Sequence, residues 1–222
     1  MLWAQSGPAK RAWKNYIDKD YEKALDLTTK ALEKDSLDAL AWYVNARLSF
    51  TPTYQPVDID QADAHLRIAN TLFSDALPKT KSDLQEEGLT ETAINNLRNK
   101  VDSAAFSRAE TQMTEEAFIQ FLTDFPGAMQ TDRAIANRDS LAFQTAVEVN
   151  TYQAYQSFMS TYPEAREVPE ARARYEKLYF DIATDDQQLA SYEQFLIDNP
   201  ATPYRHEAEF NIFRIMTAAN DF

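Results

Sequence analysis

One interval governs the second half of this chain. Phe118-Ile-Gln-Phe121-Leu-Thr-Asp-Phe125-Pro126 is followed by Tyr155-Gln-Ser-Phe158-Met-Ser-Thr-Tyr162-Pro163 and Tyr192-Glu-Gln-Phe195-Leu-Ile-Asp-Asn199-Pro200, with the prolines 37 residues apart each time. Phe121, Phe158 and Phe195 keep that spacing. So do Ala134, Ala171 and Ala208, and beyond them Leu141, Leu178 and Ile215. A fixed period of about 20–50 residues marks a stacked repeat array, whose units are too small to bury their apolar faces alone.

Each copy reads as a short helix, a proline turn and a longer helix. Phe118, Phe121, Leu122 and Phe125 are spaced i, i+3, i+4 and i+7, which puts them on one helical face. The proline ends that helix because it has no donor and clashes with the preceding turn. In the longer helix Ala171, Tyr175, Leu178, Tyr179 and Ile182 form the expected matching stripe. Glycine occurs only at Gly7, Gly88 and Gly127, and good helix formers dominate; the reading is all-α. A degenerate copy precedes the three clear ones. Asp102-Ser-Ala-Ala-Phe106 lies 37 residues before Asp139-Ser-Leu-Ala-Phe143, and Leu84 holds the Phe121 position. Gly88 reads as a helix stop and Thr90 as the cap of the next helix. Ala76-Leu-Pro-Lys-Thr-Lys81 reads as the seam between two repeat types.

The N-terminal third predicts helices over 9–18, 21–34, 37–50 and 59–75. Thr51-Pro-Thr-Tyr-Gln-Pro56 is a turn-rich loop, since each proline restricts its predecessor. Ala24 and Ala31, like Ala62 and Ala69, lie seven residues apart. Tyr21, Ala24, Ala31 and Leu32, then Trp42 and Ala46, resemble the tetratricopeptide repeat, falling on its second-helix positions and on the first helix of the following repeat. Ser36 and Pro8 depart from the family pattern, where a proline and a tryptophan are usual. The resemblance implies two such units over 1–78, the second interrupted by a loop at 51–58. Four 37-residue units over 79–222 follow, the first degenerate.

The aromatic–x–x–Phe–x–x–x–aromatic–Pro runs are similar to divergent tetratricopeptide-like repeats of bacterial envelope proteins, including those of Bacteroidetes-type bacteria. The implied fold is an α-solenoid, a right-handed superhelical array of antiparallel helix hairpins. By the same resemblance a periplasmic or cell-envelope location is favoured over a cytoplasmic one. Leu2-Trp-Ala-Gln-Ser6 carries a weak export signature, a small residue without the basic and apolar regions of a signal peptide.

Composition narrows the function. A formal charge of −13 disfavours nucleic acid and anionic membrane surfaces. No run approaches the roughly 18 apolar residues of a membrane span. There is no cysteine, hence no disulfide and no thiolate chemistry. His65 and His206 have no second histidine at i+3 or i+4, so no metal site is expected. The scattered glycines build no phosphate cradle and no nucleophile elbow. Asp185 reads as a helix cap rather than a general acid. No catalytic residue and no cofactor is expected.

What remains is surface. Resemblance to tetratricopeptide proteins implies a non-catalytic scaffold binding a peptide or partner protein on a concave helical face. The family's groove positions fall on Trp13, Tyr16, Tyr43 and Arg47. Two readings of the three aromatics stay open, groove wall and intra-repeat core. Arg47 is the most informative: buried, it needs a partner; exposed, it suits a peptide carboxylate. The last helix, through Phe210, Ile212, Phe213, Ile215 and Met216, is apolar enough to expect cover by further repeats or a homodimer mate. The alternative function is a regulatory or targeting module attached to an unseen C-terminal domain, an enzyme or a cell-wall binder.

Overall fold

A computed structural model describes residues 7–218, so the Leu2–Ser6 signature lies outside the described residues. Among them the chain is all-α, with twelve helices and no strand. By contacts it divides into two compact units. The first runs to Gln112 and also takes Thr123–Thr131; the second takes Met113–Leu122 and the chain from Asp132 onward. No described helix is long and apolar enough to cross a membrane.

The first unit contains α1 (Gly7–Ile17), α2 (Tyr21–Lys34), α3 (Ala39–Ser49), α4 (Ile59–Ser74), α5 (Pro78–Glu86) and α6 (Glu91–Gln112). Carboxylates start three of them, because the first backbone N–H groups of a helix lack intrahelical acceptors. Asp20 accepts from Lys23 N, Asp38 from Leu40 and Ala41 N, and Asp58 from Gln61 N. The alanine pairs Ala24/Ala31 and Ala62/Ala69 are fully buried, which lets backbones approach closely. α1 packs on α2 and α3, α2 on α3, α3 on α4, and α4 on α6. Gly88 has φ +91° and Thr90 Oγ1 accepts from Ala93 N, so α5 stops and α6 starts as their residues dictate. Between α4 and α6, Asp63 pairs with Arg67 at 2.6 Å and Arg98 at 3.4 Å.

The second unit holds most of α7 (Glu115–Asp124), then α8 (Thr131–Val149), α9 (Tyr152–Thr161), α10 (Val168–Ala183), α11 (Leu189–Asp198) and α12 (Arg205–Ala218). Phe121, Phe158 and Phe195 are 3, 4 and 3% exposed, and Ala134, Ala171 and Ala208 are fully buried. Phe158 meets Phe143 at 5.4 Å while Phe195 meets Phe180 at 5.1 Å. Phe143 meets Tyr155 and Phe180 meets Tyr192, both at 6.4 Å.

The backbone carries the same period. The turn after each proline closes with Ala128 N donating to Phe125 O, Ala165 N to Tyr162 O and Thr202 N to Asn199 O, each at 3.1 Å. Met113, Asn150 and Gln187, again 37 residues apart, take left-handed φ of 52, 49 and 55°. The next residue starts the short helix, with Thr114 and Thr151 accepting through Oγ1 from Ala117 and Ala154 N.

Two expectations are corrected here. Ile182 is 59% exposed, and Phe180 is the buried ring instead. α10 packs on both α9 and α11, so its buried surface is wider than a single stripe. Asp185 caps nothing: the chain continues to Gln188 before α11 begins, and Asp186 accepts from Gln188 N and Ser191 Oγ. On α12 Phe210, Phe213 and Met216 are exposed, while Ile212 and Ile215 pack partly into the core.

Candidate functional site

Trp13, Tyr16, Tyr43 and Arg47 converge within the first unit. Helical spacing explains half of this: Trp13 and Tyr16 sit i, i+3 on α1, Tyr43 and Arg47 i, i+4 on α3. The packing of α1 on α3 supplies the rest. Trp13 and Tyr16 stack with centroids 5.7 Å apart and planes within 6°. The row continues from Tyr16 to Tyr21 and from Tyr21 to Tyr54, at 5.6 and 5.5 Å.

Arg47 is the hub. Its guanidinium carbon lies 5.0 Å from the Tyr16 centroid, 5.8 Å from Trp13 and 5.9 Å from Tyr43, all within cation–π range. Nε donates to Tyr16 Oη and Nη1 to Tyr43 Oη, both at 3.2 Å. Thr51 Oγ1 donates to the Arg47 carbonyl at 2.6 Å. Its single proton is thereby used, so the 3.1 Å contact between Tyr16 and Thr51 has the tyrosine as donor. The result is a closed ring, Arg47 to Tyr16 to Thr51 and back to Arg47. A second arm runs from Arg47 through Tyr43 to the carbonyl of Ala93 on α6, at 3.4 Å.

Among the described residues no carboxylate enters this arrangement. Burial works against the Arg47 charge, but the hydrogen bonds to Tyr16 and Tyr43 outweigh it and hold the group above its ordinary pKa. A guanidinium has five donors, of which the two tyrosines take two. Arg47 lines an open cleft of about 510 Å³ together with Tyr16, Tyr43, Phe50, Pro52, Asn96 and Lys100, among others. Chemically this is an aromatic-walled recess with a fixed cation and a second, lysine cation at its edge.

Trp13 does not line the cleft. Its indole backs Tyr16 and lies against Gly88, where an added Cβ would meet Trp13 Nε1 at 3.6 Å. Thr51, Asn96 and Lys100 escaped the sequence reading. Thr51 stands in a segment legible only as a turn, and nothing in the spacing ties α6 to α1 and α3. Trp42, on the opposite register of α3, donates Nε1 to Ser36 O and packs at 5.2 Å on His65. Burial lowers the His65 pKa and so favours the neutral ring. No group of three or more potential metal ligands is assembled among the described residues.

No protein-family model and no curated protein matches this chain.

Proposed function

We propose that the chain is a non-catalytic protein–protein interaction scaffold, and that the Arg47 cleft receives an acidic group of a peptide or partner protein. The observation that carries this reading is an arginine held in place by two tyrosines with no carboxylate partner among the described residues. In a chain of formal charge −13, an arginine left without an acidic partner is one kept for something else. A ligand carboxylate accepting from Nη1 and Nη2 gains a charge-assisted, bidentate pair inside low-dielectric walls. Aromatic faces beside it suit an apolar side chain of the same ligand.

The fold that goes with this function is a tetratricopeptide-like α-solenoid. Its support is the 37-residue recurrence of buried rings, turn hydrogen bonds and left-handed residues.

The test is selection of random displayed peptides on the intact chain. Arg47→Met keeps the stem and removes the charge. Selected peptides should carry an acidic group and bind the variant about tenfold or more weakly, one charge-assisted pair being lost. Peptides that bind Arg47→Met as well as the parent would overturn the assignment.

A further inference from the structure

We propose that the cleft between α10 and the turn after α11 is a docking site for an arginine of a basic partner segment. The proposal concerns the second unit and does not depend on the Arg47 cleft.

Its basis is a comparison of two successive copies of one register. In the earlier copy Arg138 lies 4.5 Å from the Tyr162 centroid. It donates to Asp139 Oδ1 from Nη2 at 2.7 Å and from Nε at 2.9 Å, and the Tyr162 hydroxyl donates to Glu115. Cation, carboxylate and aromatic face close on one another, and the register is internally satisfied. Thirty-seven residues on, Arg138 becomes Tyr175, Asp139 becomes Glu176, Ala142 becomes Tyr179 and Tyr162 becomes Asn199. The acid remains and the cation is gone.

What replaces the cation is aromatic surface. Tyr175 and Tyr179 stack at 5.8 Å with planes 3° apart, and Tyr152 meets both edge-on at 6.1 and 5.4 Å. Together with Phe195, Asn199 and Thr202, the stacked pair and Glu176 line an open cleft of about 240 Å³ in which Glu176 is the one charged lining residue among those described. Among the described residues Glu176 makes no ion pair. The cations beside it in sequence are engaged elsewhere, Arg174 with Glu170 at 2.7 Å and Lys177 with Asp181. Asn199 Nδ2 donates to Phe195 O at 3.0 Å, which leaves its side-chain carbonyl as a second acceptor.

A carboxylate beside stacked tyrosine faces is complementary to a planar cation. A guanidinium stacks on the rings while its forked donors reach the acid, which a compact ammonium does less well. The occupant would put back, from another protein, the group that Arg138 supplies in the preceding copy. The chain's excess of negative charge steers such a basic segment toward it.

The experiment is an NMR titration of the intact ¹⁵N-labelled chain with a blocked peptide carrying one arginine between glycine and serine residues. The matching citrulline peptide, isosteric but neutral, is the control. The expected result is amide shifts centred on Tyr175, Glu176, Tyr179 and Asn199, with the citrulline peptide about tenfold weaker. Glu176→Gln should weaken binding about fivefold, and Glu33→Gln on the exposed face of α2 should leave it within about twofold. Tyr175→Arg, which restores the cation of the earlier copy, should abolish binding. Glu176 is half-buried and makes no ion pair among the described residues, so Glu176→Gln decides the matter if Tyr175→Arg fails to fold. Shifts scattered over the acidic surface, equal binding of the citrulline peptide, or an unaffected Glu176→Gln would each overturn the proposal.

Discussion

Phe143 and Phe180 hold the same place in successive copies, and each turns its ring to the phenylalanine of the following short helix, Phe158 at 5.4 Å and Phe195 at 5.1 Å. The long helix of one copy thus forms the floor on which the next is laid.

Phe158→Ala should therefore cost about 3–5 kcal/mol, the range for a buried phenylalanine that leaves a cavity. Paired with Phe143→Ala, it should show a coupling of about 0.5–1.5 kcal/mol, since the two rings interact directly. Chemical denaturation of the two single variants and the double variant measures both. An unchanged melt for Phe158→Ala would remove the ring from the core.

The left-handed residue before α11 yields a prediction of opposite sign. Gln187 at φ 55° has a Cβ that such backbone tolerates poorly, at a cost of roughly 1–2 kcal/mol. Gln187→Gly should recover up to about 1 kcal/mol after glycine's own entropic penalty. Gln187→Val, β-branched, should lose about 1–2 kcal/mol. Urea midpoints that rank glycine below glutamine would contradict this.

Tyr16 is the middle member of the ring that locks Arg47. Tyr16→Phe keeps the stacking on Trp13 but removes the hydroxyl that accepts from Nε and donates to Thr51. Stability should fall by about 1–2 kcal/mol, the cost of leaving partly buried donors and acceptors unmet. Equal melting temperatures for the two proteins would mean that water substitutes freely for the hydroxyl.

Asp102 makes stability depend on pH. Burial first, with a smaller contribution from Asp63, pushes its carboxyl up to about 6 against the opposing pull of Arg98 and Arg67. The folded state holds the proton more tightly than the unfolded chain does. Its favourable contribution is therefore complete below about pH 4 and is lost as pH rises through 6. Asp102→Asn should raise stability at pH 7 by about 1–2 kcal/mol and change it little at pH 4. Denaturation at the two pH values reads the difference, and an equal effect at both would contradict the assignment.

The parts of this structure that were legible in the sequence share one property: their cause is local or periodic. Gly88 and Thr90 stop and start helices by their own chemistry, and Phe121, Phe158 and Phe195, one period apart, are each buried, the latter two against the equivalent rings Phe143 and Phe180. What escaped depends on contacts between elements distant in sequence. Ile182 fits the stripe of an isolated helix, but α10 is gripped on two sides, and Phe180 takes the second. Met113, Asn150 and Gln187 escaped because none is glycine, the residue that normally announces a left-handed bend. The tetratricopeptide positions pointed to Trp13, Tyr16, Tyr43 and Arg47. The Thr51 hydroxyl that closes their ring, and Lys100 at the cleft's edge, come from a loop and from α6.

The recurring left-handed joint has a bearing on how such a chain changes in length. Asn150 and Gln187 are each followed by an extended residue, Thr151 at ψ 153° and Gln188 at ψ 148°. A splice that excises residues 151–187 sets Asn150 directly before Gln188 and recreates the same bend. Whole copies can thus be gained or lost in a single genetic event with no junction to redesign, whereas any insertion of another size must be absorbed by a loop.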